Sequence, residues 1–378
     1  MTQKVGRPFF PATCHSCVSR RDVLRAGGFA ALLAEPFVRG GRRAVAGPSG
    51  DGTGIVQRYA TALDDPWVVA HGIRAMGRGF TLASGRRAVD HLLENVLVEL
   101  PANGRSALGF PIDVEGHPNM FLKTMLEAAV PLDYAFTHRG RRRTLHEVAD
   151  GARALLRPSV MASNPNALPW SLIALTRTTP VSRRQWTNAW GESVDLDALV
   201  ETALRLLEQA SLPVEEAMRD GRPETRQAPV HGFTCGGGHM IYALLAALQR
   251  GYTGKDRPRR MQQQVDLLVW RLSADLDLIE RYYRARGSGA AADFWYEFDA
   301  KLKLLGHAEE CLAFADVHKV TGLTAAQRGQ RQAATATLRR LLVDLEARSL
   351  GEAQRLDQEL YRQLIGDTCH ARHGLTLA

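Results

Sequence analysis

The segment His231-Gly-Phe-Thr-Cys235-Gly-Gly-Gly-His239 puts two imidazoles and a thiol within nine residues. Three successive glycines remove side-chain bulk and let the backbone come close to a ligand. A helix beginning near Cys235 sets that sulfur at the positive end of the helix dipole, which favours thiolate. His239 lies four residues on and so shares the same helix face. Two chemistries follow. Cys235 and His239, together with His231, can hold zinc or another divalent transition metal through sulfur and nitrogen. Alternatively, His239 activates Cys235 as a nucleophile. The same residues also suit plain packing, in which the glycines admit a neighbouring helix and Cys235 is a small buried hydrophobe.

A second constellation is Asp113-Val-Glu115-Gly-His117-Pro-Asn119. Asp113, Glu115 and His117 offer acid and base groups that would join Cys235 in catalysis if the two loops meet. Helix capping alone would also produce an Asp- and Asn-rich turn. A third is His307-Ala-Glu-Glu310-Cys311 with His318, whose spacing allows metal ligation from one helix or an exposed polar face. Cys369, His370 and His373 stand near the end of the sequence, where a helix is expected to fray. Trp170, Trp186, Asn188 and Trp190 gather in turn-rich tracts. Rings that stack and amides that bond hydroxyls are what a sugar surface needs, although a Trp covering a helix end is equally common.

The elements that must carry these groups read as helices. Apolar residues recur at three- and four-residue spacing over Leu196 to Ala210 and Val265 to Tyr283. Thr144-Leu-His-Glu147 and Thr324-Ala-Ala-Gln327 have the capping-box form. The expected helices are 86–99, 117–129, 145–156, 168–176, 195–210, 235–250, 259–285, 293–318, 325–348 and 352–365. Pro66, Pro158, Pro180, Pro213 and Pro258 fall between them. Ala107 to Val114 is the one expected strand, so the fold class is all-α. The organisation expected is a leader over 1–46, a flexible linker over 47–67, a main helical domain over 68–320 and C-terminal helices over 321–378.

The formal net charge is +8, but residues 1–46 hold eight Lys/Arg against two Asp/Glu. The remainder carries only +2, so no broad phosphate-binding surface and no nucleic-acid partner is expected. Five cysteines, two of them Cys14 and Cys17 within the expected leader, are too few for a disulfide framework.

Ser19-Arg20-Arg21-Asp22-Val23-Leu24-Arg25 precedes a short apolar run and the small-residue site Ala44-Val45-Ala46. It resembles a bacterial twin-arginine leader, which implies an export-machinery partner, folding before export and a periplasmic location. The helical layout over roughly 68–320 loosely resembles the α/α-toroid glycosidases, polysaccharide lyases and terpenoid cyclases, with no family motif intact. The Cys235 to His239 run resembles the Cys-Gly-Gly-Thr-His metal motif of alanyl-tRNA editing domains, except that Gly238 replaces the threonine and a β-rich setting is missing. Together these imply a metal-assisted hydrolase or lyase acting on envelope glycan. The competing expectation is a non-catalytic scaffold or binding module. Phosphate-binding, dinucleotide-binding and Gly-x-Ser-x-Gly motifs are absent from the sequence.

Overall fold

A computed structural model describes residues 50–61, 65–161, 164–222, 227–287 and 291–377. The twin-arginine-like segment, Cys14 and Cys17 lie outside the described residues. The all-α class holds, with three small hairpins added.

The chain begins with α1 (Thr53–Ile55) and a π-turn (Val56–Ala60), followed by α2 (Pro66–Met76) and α3 (Ala88–Asn95). Strands β1 (Val98–Ala102) and β2 (Arg105–Gly109) lead into α4 (Ile112–Glu115) and α5 (Met120–Glu127). Strands β3 (Ala135–His138) and β4 (Arg141–Thr144) precede α6 (Leu145–Leu155), α7 (Pro158–Met161) and α8 (Leu168–Thr178). Strands β5 (Gln185–Thr187) and β6 (Ser193–Asp195) are followed by α9 (Leu196–Arg219) and α10 (Gly238–Gln249). The long helices α11 (Arg257–Arg286), α12 (Ala291–Val317) and α13 (Ala325–Glu346) come next, then α14 (Gly351–Leu356) and α15 (Gln358–Leu377).

Local chemistry fixes the helix starts. Asp65 accepts the Trp67 amide just ahead of Pro66, and Asp195 accepts the amides of Asp197 and Ala198. Both expected capping boxes form, with Glu147 reaching back to the Thr144 amide and Gln327 to that of Thr324. Helix α9 continues through Pro213, which was expected to end it. Asn103-Gly104 and Arg139-Gly140 both hold positive φ at consecutive residues and close the β1–β2 and β3–β4 hairpins. The strand expected over Ala107 to Val114 is in fact β2 followed by the helical turn α4.

Every residue of α10 from Gly238 to Leu248 is buried, so this helix occupies the middle of the fold. Helices α8, α9, α11 and α12 pack on it, and α12 runs along α15. Close approach of α12 and α15 depends on missing side chains. A Cβ on Gly374 would lie 2.6 Å from the Glu310 amide nitrogen, and one on Gly306 would lie 3.2 Å from the Ala371 Cβ. Gly366 gives room to α2, since a Cβ there would lie 2.5 Å from the Trp67 ring.

The expected linker does not survive over its described part. Residues 50–61 are not a linker: Ile55, Val56 and Ala60 are fully buried, and α1 packs on α13 and α15. The C-terminal helices, expected to pack on the main domain, do so through α15, which lies along α12 and against α2. The end of α15 does not fray, for Cys369 and His370 are buried.

Candidate metal centre

The Cys235 thiol is presented by a turn of unusual shape. Cys235, Gly236 and Gly237 have φ of 53°, 60° and 84°, three left-handed residues in a row before α10 begins at Gly238. Glycine meets this demand at no steric cost, whereas Cys235 bears the strain. A Cβ on Gly238 would sit 3.0 Å from the His307 Cβ, so that glycine lets α10 close on α12.

A buried polar network clamps this turn. Arg271 on α11 donates from Nη1 to the Gly236 carbonyl at 2.9 Å and from Nε to Asp275 at 2.8 Å. The other oxygen of Asp275 lies 3.2 Å from His231 Nε2, and His231 Nδ1 accepts the Ala228 amide at 2.8 Å. His231 was expected to bind metal. Both of its ring nitrogens are instead engaged in holding the loop, and it is corrected to a structural role.

The other candidate ligands come from α10, α12 and α15. Lys303 meets Gln363, His307 meets Asp367 and Glu310 meets His370, each pair sixty residues apart. A constant offset of this kind means that α12 and α15 run in the same direction. The ring centroids of His307 and His370 are 4.1 Å apart, and His239 lies 4.6 Å from the first and 5.0 Å from the second. Cys235, His239 and His307 each place one ligand atom within 4.8 Å of the others, as do His307, Glu310 and His370. Cys235 is the half-buried member of its set, while the three imidazoles are buried.

The far nitrogens of two imidazoles are fixed by carboxylates. His307 Nε2 is 3.1 Å from Asp367 and His370 Nδ1 is 3.0 Å from Glu310. This leaves His307 Nδ1 and His370 Nε2 for a ligand, the arrangement that orients metal-binding histidines. Glu310 is less available than its position suggests, because it also accepts from Arg74 at 2.6 Å and from His373 at 2.8 Å. The group of Cys235, His239 and His307 is therefore the better ligand set.

The charges are deeply buried and matched. Arg74 pairs with both Glu310 and Glu127, and Lys123 lies 3.0 Å from Glu127. Burial works against ionisation of Glu310, yet Arg74 and His370 hold its carboxyl well below the ordinary range. Burial pushes His239 and His370 well below the usual imidazole range, aided for each by His307. Both are thus neutral and able to donate a lone pair. Burial would lower His307 too, but the Cys235 sulfur and Asp367 outweigh it and push the ring up to about 10.

His117 joins the cluster at one remove. It stacks on Trp170 with centroids 3.6 Å apart and planes 5° from parallel, and Trp170 is 4.7 Å from His239. Burial lowers His117 to about 3. Trp170 was expected to offer a sugar surface, but it is buried between two imidazoles. The catalytic roles expected of Asp113 and Glu115 are not supported by their placement. Asp113 is exposed on α4, and buried Glu115 accepts the amides of Asn119 and Phe121 at the start of α5. Among the described residues, the expected substrate group of Trp186, Asn188 and Trp190 surrounds the β5–β6 hairpin. Asn188 there accepts the Trp190 and Glu192 amides and donates to the Leu156 carbonyl, so it shapes the turn.

Two central residues escaped the sequence reading. His370 was assigned to a frayed end, and Asp367 was not singled out. The signal available was the match between Lys303-x3-His307-x2-Glu310 and Gln363-x3-Asp367-x2-His370, two polar stripes of the same spacing. Among the described residues, no helix is long and apolar enough to cross a membrane. Compared with known protein families, curated proteins and solved structures, the chain finds no match.

Proposed function

We propose that this chain is an exported metalloenzyme, a hydrolase or lyase, whose metal is held by Cys235, His239 and His307. The observation that carries the reading is the convergence of the Cys235 sulfur, the neutral His239 ring and the His307 ring, whose rear nitrogen is fixed by Asp367; a metal would take the place of the proton that His307 holds toward Cys235. One sulfur and two nitrogens form a borderline-soft set that suits zinc or another late divalent metal. A metal held by these three residues would supply Lewis acidity and an activated water for attack on a substrate. His370 borders the set from α15, and half-buried Cys235 marks the side from which a substrate can approach. The leader-like Ser19 to Arg25 segment supports loading of the metal before export, and envelope glycan remains the proposed substrate class.

Metal content of the purified protein, measured by mass spectrometry before and after chelation, tests this reading. About one equivalent is expected, with tight rebinding after removal. Cys235→Ser and His239→Gln should each lose the metal while remaining folded. A folded wild-type protein that takes up no divalent metal would overturn it.

A second reading rests on the order Cys235, His307, Asp367, in which sulfur, imidazole and carboxylate follow one another as in thiol hydrolases. Rapid alkylation of Cys235 in metal-free protein, abolished by His307→Gln, favours that reading when no metal binds.

A further inference from the structure

Away from the His–Cys cluster, the β1–β2 hairpin, α6 and the β5–β6 hairpin enclose an open cleft of about 310 Å³. Its lining includes Arg105, Asp150, Arg153, Trp186 and Asn188. The charges around it are unevenly matched. Nearby Arg143 is paired with Glu99 and Glu147, and Arg157 with Glu192. Among the described residues, Arg105 and Arg153 form no ion pair with a carboxylate. Asp150, the acidic group of the lining, is exposed and faces His146 at 3.4 Å.

Arg153 is also held in place. Its guanidinium lies over the Trp186 ring at 5.1 Å, and Trp186 Nε1 donates to the Arg153 carbonyl at 3.0 Å. Its Nε is buried and makes no hydrogen bond. Asn188 spends its polar atoms on the turn behind the cleft and so fixes the wall without needing a ligand. Two unneutralised guanidinium groups beside a half-buried indole, in a concave site of this volume, match an anion carried on a ring. Guanidinium groups bind carboxylates with charge-assisted hydrogen bonds, and indole supplies a face for stacking.

We propose that this cleft binds a carboxylate-bearing ring, with Arg105 and Arg153 on the carboxylate and Trp186 against the ring. The ring can come from an acidic sugar of a glycan or from a free aromatic acid. None of the lining residues belongs to the Cys235, His239 and His307 set, so the proposal stands apart from the metal reading.

Titration calorimetry on the full chain tests it, using a short oligouronide, a neutral oligosaccharide of the same length, and benzoate. Binding of the oligouronide or of benzoate, but not of the neutral oligosaccharide, is expected, and it should weaken as salt rises. Oligouronide binding alone identifies a glycan, and benzoate binding alone an aromatic acid. Arg153→Gln and Trp186→Leu should each weaken binding at least tenfold. Arg105→Gln alters an exposed side chain, should leave the fold untouched, and should still weaken binding severalfold. Chelation should leave the affinity unchanged. Equal binding of the neutral sugar, binding unaffected by Arg105→Gln, or no binding of either acid would overturn the proposal.

Discussion

His307 Nε2 on α12 and Asp367 Oδ1 on α15 lie 3.1 Å apart, across two helices that run in the same direction. The carboxylate orients the ring so that the opposite nitrogen faces Cys235 and His239. Asp367→Asn keeps the shape and removes the charge. It is expected to weaken metal affinity about 10- to 100-fold, the range typical of such supporting groups. Competition against a chelating dye, at constant pH, measures the change.

Glu310 lies at the junction of three donors, Arg74, His370 and His373. Glu310→Gln leaves the Arg74 charge buried with Glu127 as its remaining partner. Breaking a buried ion pair in this way costs about 3–5 kcal/mol. Urea unfolding of wild type and variant, both in chelator, should show that loss as a lower midpoint.

The clamp on the Cys235 turn makes a prediction of a different kind. Arg271→Lys keeps a positive charge near Asp275 but cannot both pair with it and reach the Gly236 carbonyl in the same fork geometry. The turn should loosen with only modest loss of global stability. Peptide mapping after brief alkylation is expected to show faster labelling of Cys235, while Cys311 and Cys369, both buried, stay protected.

Glycine at the α12–α15 contact is required by space. Gly374→Ala directs a methyl at the Glu310 backbone, which cannot give way cheaply. A destabilisation of about 1–3 kcal/mol is expected from overpacking. Gly322→Ala, with nothing within 4 Å of the added carbon, serves as the control and should be near neutral by thermal unfolding.

Acid sensitivity should begin at the histidines. Burial lowers His71 to about 4 and His117 to about 3, whereas an unfolded imidazole titrates near 6.5. Below pH 6.5 the unfolded chain takes up protons that these folded rings refuse, so their contribution is full above 6.5 and declines as pH falls toward 3. Denaturant midpoints at pH 7, 6 and 5 should fall progressively, before ordinary carboxylates begin to protonate. His71→Gln is expected to flatten that slope, and an unchanged slope would remove His71 from the account.

Helix periodicity and capping were legible because they are local. Thr144 and Thr324 needed only their own third neighbours, and both boxes formed. The Asn103-Gly104 turn was also local, yet only part of its second strand was read from the sequence, within Ala107 to Val114. The centre itself was half legible. Cys235, His239 and the glycines were visible as one short run, but the partner of His307 lies sixty residues on, in a helix that composition alone marked as a chain end. His231 misled for a related reason: nothing near it in sequence announces Asp275, whose carboxylate claims its free nitrogen.

The parallel pairing of α12 and α15 also sets a schedule for the newborn protein. Cys235, His239 and His307 leave the ribosome long before His370 and Asp367, which belong to the last helix described. Until that helix emerges, His307 has no carboxylate behind it and the inner face of α12 stays open. Any transcript cut short ahead of α15 would yield a chain with its thiol and two imidazoles present but unable to keep them in position.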